Sequence, residues 1–240
     1  MQHYEKNHLY QFLKTVLGRS AASELMQRYN VGSSKHWTGA TVFWQVDISG
    51  RVRTGKVMLY NPENGRRIKE PHNHITWVHS LLKKAKFHLR QCLFGEHLLT
   101  ADNHQTVALV ESEKSALIAS HFLPQYLWIA TGGKNGAFNR EAMSALKNRQ
   151  VLLFPDLGAT DYWRGKMEMM QRLGIEVSLF DFMENNATDE ERKAGYDIAD
   201  YLIQAETKES VLSRMIVRNP HLETLISMLD LEVVGVEKLS

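Results

Sequence analysis

The chain has 240 residues, 43% of them hydrophobic and 23% charged, with 29 Lys+Arg against 27 Asp+Glu and a formal net charge of +2. These proportions exclude wholesale disorder, and the single cysteine, Cys92, excludes an internal disulfide and a thiolate zinc site. No apolar run approaches the ~20 residues of a membrane span, and Lys6 and Lys14 interrupt the N-terminal apolar residues where a signal peptide would be continuous, so the expectation is a cytoplasmic protein without membrane contact.

Leu9, Phe12, Leu13, Val16 and Leu17 recur at helical spacing in residues 7–17, and Gly18 ends the run. Ser20 is placed to cap a second helix ending near Asn30 and Gly32. TVFWQVDI and RVRTGKVMLYN are β-rich runs joined by Ser49-Gly50, a tight hairpin signal. A basic, turn-rich loop, GRRIKEPHNH, and an amphipathic stretch, WVHSLLKKAKFHLRQCLF, complete an α+β half. From residue 106 the grammar changes to TVALV, SEKSALIASHFL, YLWIA, a glycine loop, NREAMSALKN, QVLLF, ATDYWRGKMEMMQRLG and IEVSLFDF. Short continuous apolar runs alternating with helices predict a parallel sheet of about four strands flanked by helices. The remainder reads as helical, with Pro220 opening the last helix.

The near-zero net charge conceals an asymmetry. Residues 1–105 carry 15 Lys/Arg against 7 Asp/Glu, and residues 106–240 carry 14 against 20. Period and charge sign change together near residues 101–105. We therefore divide the chain into a basic α+β region (1–105), an α/β core (106–207) and a helical tail (208–240). In the basic region Arg51, Arg53, Lys56, Arg66, Arg67 and Lys69 are candidates for a nucleic-acid backbone. Trp37, Trp44, Tyr60 and Trp77 can stack bases, with buried hairpin aromatics the plainer reading. His72, His74 and His79 lack the cysteines and spacing of a structural zinc site.

In open α/β sheets ligands bind beyond the carboxyl ends of the strands. Glu111 follows the first predicted strand, with Lys114 close behind. Gly132, Gly133 and Lys134 follow the second, and Asp156 the third, with Asp161 further on. Asp197 opens a later helix. Each of these also has a plain structural use, as a helix cap or a turn, but together they assemble oxygen ligands suited to Mg²⁺.

The segments VALVESEKSALIA, WIATGGKNG, VLLFPDLGATDYW and GYDIADYL resemble the Toprim domain of primases and topoisomerases, most of all the primase-type Toprim proteins of phages, plasmids and mobile elements. In that family a Glu ends the first strand, here Glu111, a glycine follows the second, here Gly132 or Gly133, and an Asp-x-Asp pair ends the third. This chain has Asp156 and then Gly158, so Asp161 or Asp197 would have to supply the missing carboxylate. The resemblance implies Mg²⁺ or Mn²⁺ held by Glu111, Asp156, Asp161 and Asp197, with Lys114 assisting catalysis and Gly132, Gly133 and Lys134 binding phosphate. It also implies nucleotidyl transfer on single-stranded DNA, nucleotides as substrates, and replication or mobilisation of a mobile element, with the tail open to a helicase. A catalytically degenerate binding module and a Toprim nuclease stay open as alternatives. The cysteine zinc ribbon frequent in such primases is not in this sequence, which is then either a minimal form or a piece of a longer chain.

Overall fold

The structure, a computed structural model, describes residues 4–83, 88–100, 105–133, 136–204, 215–216, 219–229 and 231. The first helix, α1 (His8–Leu17), buries Leu9, Tyr10, Phe12 and Leu13, the apolar stripe seen in the sequence. Its cap is Asn7, whose side chain accepts from the Tyr10 N–H at 3.1 Å and the Thr41 hydroxyl at 2.9 Å and donates to the Gly32 carbonyl at 3.1 Å. One buried polar side chain thus fixes the helix against two strands. Helix α2 (Arg19–Arg28) starts directly after Gly18, without the Ser20 cap expected from the sequence.

Strands β1 (Val31–Ser34), β2 (Ala40–Val46), β3 (Val52–Met58) and β4 (Ile75–Trp77) form an antiparallel sheet in chain order. The predicted hairpin is β2–β3. Asp47 closes it by accepting the N–H groups of Ser49 and Arg51, each at 2.9 Å. The outer strands β1 and β4 are only four and three residues long, which hid them from periodicity. Helix α3 (Val78–Leu81) is a single turn, and residues 84–87 of the predicted amphipathic stretch lie outside the described residues.

The second sheet is parallel, with β5 (Val107–Val110), β6 (Leu127–Ala130), β7 (Gln150–Leu153) and β8 (Glu176–Leu179) in the order β6-β5-β7-β8. All four residues of β5 and of β6 are buried, as continuous apolar runs in a covered parallel sheet require. The connections carry α4 (Glu113–Phe122), the short α5 (Arg140–Met143) and α6 (Thr160–Gln171). After β8 come α7 (Phe182–Asn186), α8 (Asp189–Ala194) and α9 (Ile198–Gln204). Because the chain steps from β5 to β6 on one side and then to β7 on the other, the strand order reverses between β5 and β7. That reversal opens a crevice at their carboxyl ends.

Residues 1–203 form one compact unit and 204–240 a second. The boundary expected near 101–105 falls largely on residues 101–104, outside the described residues. In the second unit α10 (His221–Met228) follows Pro220, which caps it, and most of the rest of the tail lies outside the described residues. Among the described residues no helix is long and apolar enough to cross a membrane.

Within the first unit the two sheets share a core. Phe43, Tyr60 and Phe94 pack in one cluster with Val110, Trp128 and Phe154. Phe94 pairs with Ala130 through two backbone hydrogen bonds of 2.9 and 3.0 Å, adding a residue of the basic half to the edge of β6. The Tyr29 hydroxyl donates to the Trp128 carbonyl at 2.9 Å. The most demanding link is ionic: buried Lys56 on β3 donates to Glu113 Oε2 at 3.1 Å and to the Gly132 carbonyl at 2.9 Å. Removing one partner of a buried pair leaves the other charge unpaired. Lys56→Met is therefore expected to destabilise the fold by about 3–5 kcal/mol, and Lys56→Met with Glu113→Leu to recover most of that loss, both read by chemical denaturation.

Candidate functional site

The crevice between β5 and β7 is a cleft of about 650 Å³. One wall comes from the parallel sheet: Glu111 after β5, Lys114 in the first turn of α4, Asp156 after β7, and Asp197 and Asp200 at the start of α9. The other wall is the loop after β3, with Asn64, Arg66, Arg67 and Lys69. That loop is shaped locally. The Asn61 side chain accepts the Glu63 N–H at 2.8 Å, the Asn61 N–H donates to the Arg66 carbonyl at 2.8 Å, and Tyr60 and Arg67 pair as an antiparallel bridge. Arg66, Arg67 and Lys69 stay exposed over the acidic wall.

Glu111 owes its setting to the glycine turn. The N–H groups of Gly132 and Gly133 both donate to the Glu111 carbonyl at 3.0 Å. Both glycines have left-handed φ, +79° and +119°, which side chains disfavour. The sequence expectation that these amides cradle phosphate is thereby corrected: they face the Glu111 backbone and hold the end of β5. Lys134 lies outside the described residues. Lys56 is likewise corrected: it borders the cleft, but it is buried and its ammonium is taken by Glu113 and the Gly132 carbonyl.

Asp156 is drawn toward the acidic residues by the backbone. The Leu157 N–H donates to the Tyr196 carbonyl at 2.9 Å, bringing the loop after β7 against the segment that carries Asp197. Burial first, and then the charges of Asp197, Glu111 and Asp200, push the Asp156 carboxyl up to about 8. Burial and Asp197 likewise raise Asp200. Asp197 accepts from Ser115 Oγ at 2.5 Å and from the N–H groups of Ala199 at 2.8 Å and Asp200 at 3.1 Å. It therefore both caps α9 and lines the cleft.

Two other expectations are not met by the geometry. Asp161 is not a cleft residue: its side chain is 97% exposed and pairs with Arg164 at 2.6 Å. Arg51 and Arg53 do not reach the cleft either, because both bind Asp47 and line a separate cavity with Arg90 and Glu141. Burial pushes the Asp47 carboxyl up, but hydrogen bonds from Arg51, Arg53 and Ser49 outweigh it and hold it down to about 2. Gly158, which stands in place of a second carboxylate, has φ +80° and gives its N–H to Glu184 Oε2 at 2.8 Å. Glu184 also accepts from Thr160 Oγ1 at 3.0 Å and pairs with Arg192, so the start of α6 is held by a carboxylate supplied from α7. Of the histidines weighed for zinc, His72 and His74 stack on each other while His79 bonds Thr54 Oγ1 at 2.8 Å. Neither Asp200, which reads from the sequence as a helix cap beside Asp197, nor Glu113 is among the site residues expected from the sequence. The i, i+3 spacing of Asp197 and Asp200 was the available signal for the first, and no local signal marked Glu113 as the partner of Lys56.

No group of three His, Cys, Asp or Glu side chains is poised to hold a metal ion among the described residues. Glu111 and Asp156 nevertheless have hard oxygen donors that no recorded hydrogen bond occupies, and Asp156 carries a like-charge burden that a cation relieves. This pair fits Mg²⁺, which is commonly held by one or two carboxylates with water and substrate phosphate completing its shell.

A family model described as a domain of unknown function, DUF6371, matches residues 7–157. No curated protein matches. Among solved structures, a DnaG primase catalytic domain bound to ssDNA is 13% identical, covering 90% of this chain and 72% of that one, with a TM-score of 0.57. A DnaG catalytic core is 14% identical, covering 86% and 75%, with a TM-score of 0.52. The primase fragment of the bacteriophage T7 primase-helicase protein is 18% identical, covering 72% and 69%, with a TM-score of 0.41. The first two likenesses show the fold, which is the mixed α/β architecture of a DnaG-type Toprim core with its four-stranded parallel sheet.

The electrostatics of Asp156 carry a pH signature. Its pKa of about 8 lies above the ~3.9 of an unfolded aspartate. Its contribution to stability is thus full below about pH 4 and lost as the pH rises through 8. Asp156→Asn is expected to melt roughly 5 °C or more above the wild type at pH 9, with the difference vanishing toward pH 4, in thermal denaturation. Mg²⁺ added at pH 9 is expected to raise the wild-type melting temperature and leave the variant unmoved.

Proposed function

The chain belongs to the DUF6371 family of domains of unknown function, and we propose that it is a primase-like protein performing metal-dependent nucleotidyl transfer on single-stranded DNA. One observation carries this reading: an exposed basic loop (Arg66, Arg67, Lys69) stands across a single cleft from carboxylates at the reversal point of a parallel sheet (Glu111, Asp156). In the reaction a nucleotide 3′-hydroxyl attacks the α-phosphorus of a nucleoside triphosphate and pyrophosphate leaves, so no protein nucleophile is required. Glu111 and Asp156 would hold the divalent ion, which supplies charge neutralisation at the phosphates.

The chain's own groups do the rest. Arg66, Arg67 and Lys69 pair with phosphates of the template or the triphosphate, and Lys114 steadies charge beside Asp200. Gly132 and Gly133 keep the Glu111 backbone from shifting. Asp156, largely protonated at neutral pH, gives up its proton as the cation binds, so metal affinity rises with pH. Residues 1–105 act in this scheme as the nucleic-acid-binding region and 106–207 as the Toprim domain. The tail from 208 is the segment we assign to a helicase or another replication protein, in the setting of a mobile element.

A second reading, a binding module without catalysis, is favoured by Gly158 and by Glu184, which is fully engaged with the start of α6. The two readings part in one assay. With template, nucleotides and Mg²⁺ or Mn²⁺, the wild type is expected to make dinucleotides and short primers, and Glu111→Gln to lose at least about 100-fold of that rate. Salt-sensitive binding of single-stranded DNA with no product would establish the binding module instead, and shortened DNA would indicate a nuclease.

A further inference from the structure

Outside the cleft two loops at one end of the antiparallel sheet bring four rings together. His36 lies edge-on to Trp37 at 4.4 Å, Trp37 edge-on to His74 at 5.1 Å, and His74 stacks on His72 at 4.4 Å with an interplanar angle of 22°. The rings come from two loops, 35–39 and 68–74, and His36 and His72 at the ends of the row are exposed. Packing holds the row, since buried Nδ1 of His74 has no partner among the described residues. Among the described residues His72 has a ring contact with His74 alone.

The row is joined to the cleft. Ile68, which lines the cleft, accepts the His74 N–H on its carbonyl at 3.3 Å, and its side chain packs in the same apolar cluster as Trp37. Arg66, Arg67 and Lys69 precede the row on the same loop, and Lys35 flanks its far end. Cations that bind phosphates, followed by a row of aromatic rings whose end members, His36 and His72, are exposed, form the arrangement that holds single-stranded nucleic acid without reading its sequence.

We infer that the His36–Trp37–His74–His72 row is a base-stacking shelf that receives single-stranded DNA as it leaves the cleft. This extends the reading of the cleft as a nucleic-acid site and rests on it for the direction of the strand. The shelf contributes affinity through base faces, whereas the loop cations contribute through phosphates, and the two are separable by salt.

The test is binding of a labelled oligodeoxythymidylate to the full chain by fluorescence anisotropy over a series of salt concentrations. His72→Ala, at an exposed position where folding is not at stake, and Trp37→Ala are expected to weaken binding roughly 5- to 150-fold with the slope of log K against log salt unchanged. His72→Phe is expected to bind like the wild type, and an abasic strand of equal length to bind the wild type as weakly as the thymidylate strand binds His72→Ala. Arg67→Ala is expected to lower the salt slope by about 1. Wild-type affinity in both His72→Ala and Trp37→Ala, or equal wild-type affinity for abasic and base-bearing strands, overturns the shelf. If only Arg67→Ala weakens binding, the shelf fails and the cleft reading survives. If only the ring variants do, the shelf stands and the basic loop is not the path of the strand.

Discussion

The ion pair between Lys56 and Glu113 is the interaction on which the rest of the molecule depends. An ammonium group on a central strand of the antiparallel sheet has been taken out of water, which is tolerated only where acceptors replace its hydration. Glu113 and the Gly132 carbonyl are those acceptors, and both belong to the parallel sheet's end of the structure. A Cβ at position 132 would lie 3.1 Å from Glu113 Oε1, so a glycine there admits the pair. The pair also sets the register of β3 against the glycine turn, and β3 leads directly into the loop that carries Arg66 and Arg67. The basic wall therefore stands where it does relative to the carboxylates because Lys56 has one satisfactory place to go.

The cleft that results is electrostatically unbalanced on one side and mobile in charge on the other. Asp156 is surrounded by Glu111, Asp197 and Asp200, and of these four, among the described residues, only Asp197 accepts a hydrogen bond from another helix, from Ser115. Crowded carboxylates without partners cannot all stay ionised, and a divalent cation, a phosphate-bearing ligand with its counterions, or a proton must relieve them. Position 158 is a glycine rather than a second carboxylate. The Gly158 backbone has turned left-handed and its N–H is bound by Glu184, itself held below the usual carboxylate range by that bond first and by Thr160 and Arg192 after it. A carboxylate is present near that turn, but it serves to anchor a helix.

Most of the architecture was legible because it rests on periodicities that local sequence carries. The stripe of α1, the β2–β3 hairpin and the alternation of buried strands with helices after residue 106 all follow from apolar spacing and turn residues. The short strands β1 and β4 were not legible, since VGSS and ITW lack any pattern and pair only because a hairpin already stands between them. In the site, Glu111 and Asp156 were found by the rule that ligands gather at strand ends, and the structure does bring them to one crevice. Asp161 was misplaced because a residue in the first turn of a helix can point to either side, and here it points to Arg164 and solvent.

What the sequence determined by itself was most of the elements, the α/β core and the chemistry present at each strand end, because these depend on neighbours within a few residues. Only the tertiary structure decided which charges are free to act. Lys56 and Arg51, both basic residues on one hairpin, looked alike as candidates for a phosphate path, yet one is buried against a carboxylate 57 positions away and the other is held by Asp47 four positions back. Arg66 and Arg67 remain available. Burial and pairing partners are properties of chain segments brought together from far apart in sequence, and they select a site from the many groups able to form one.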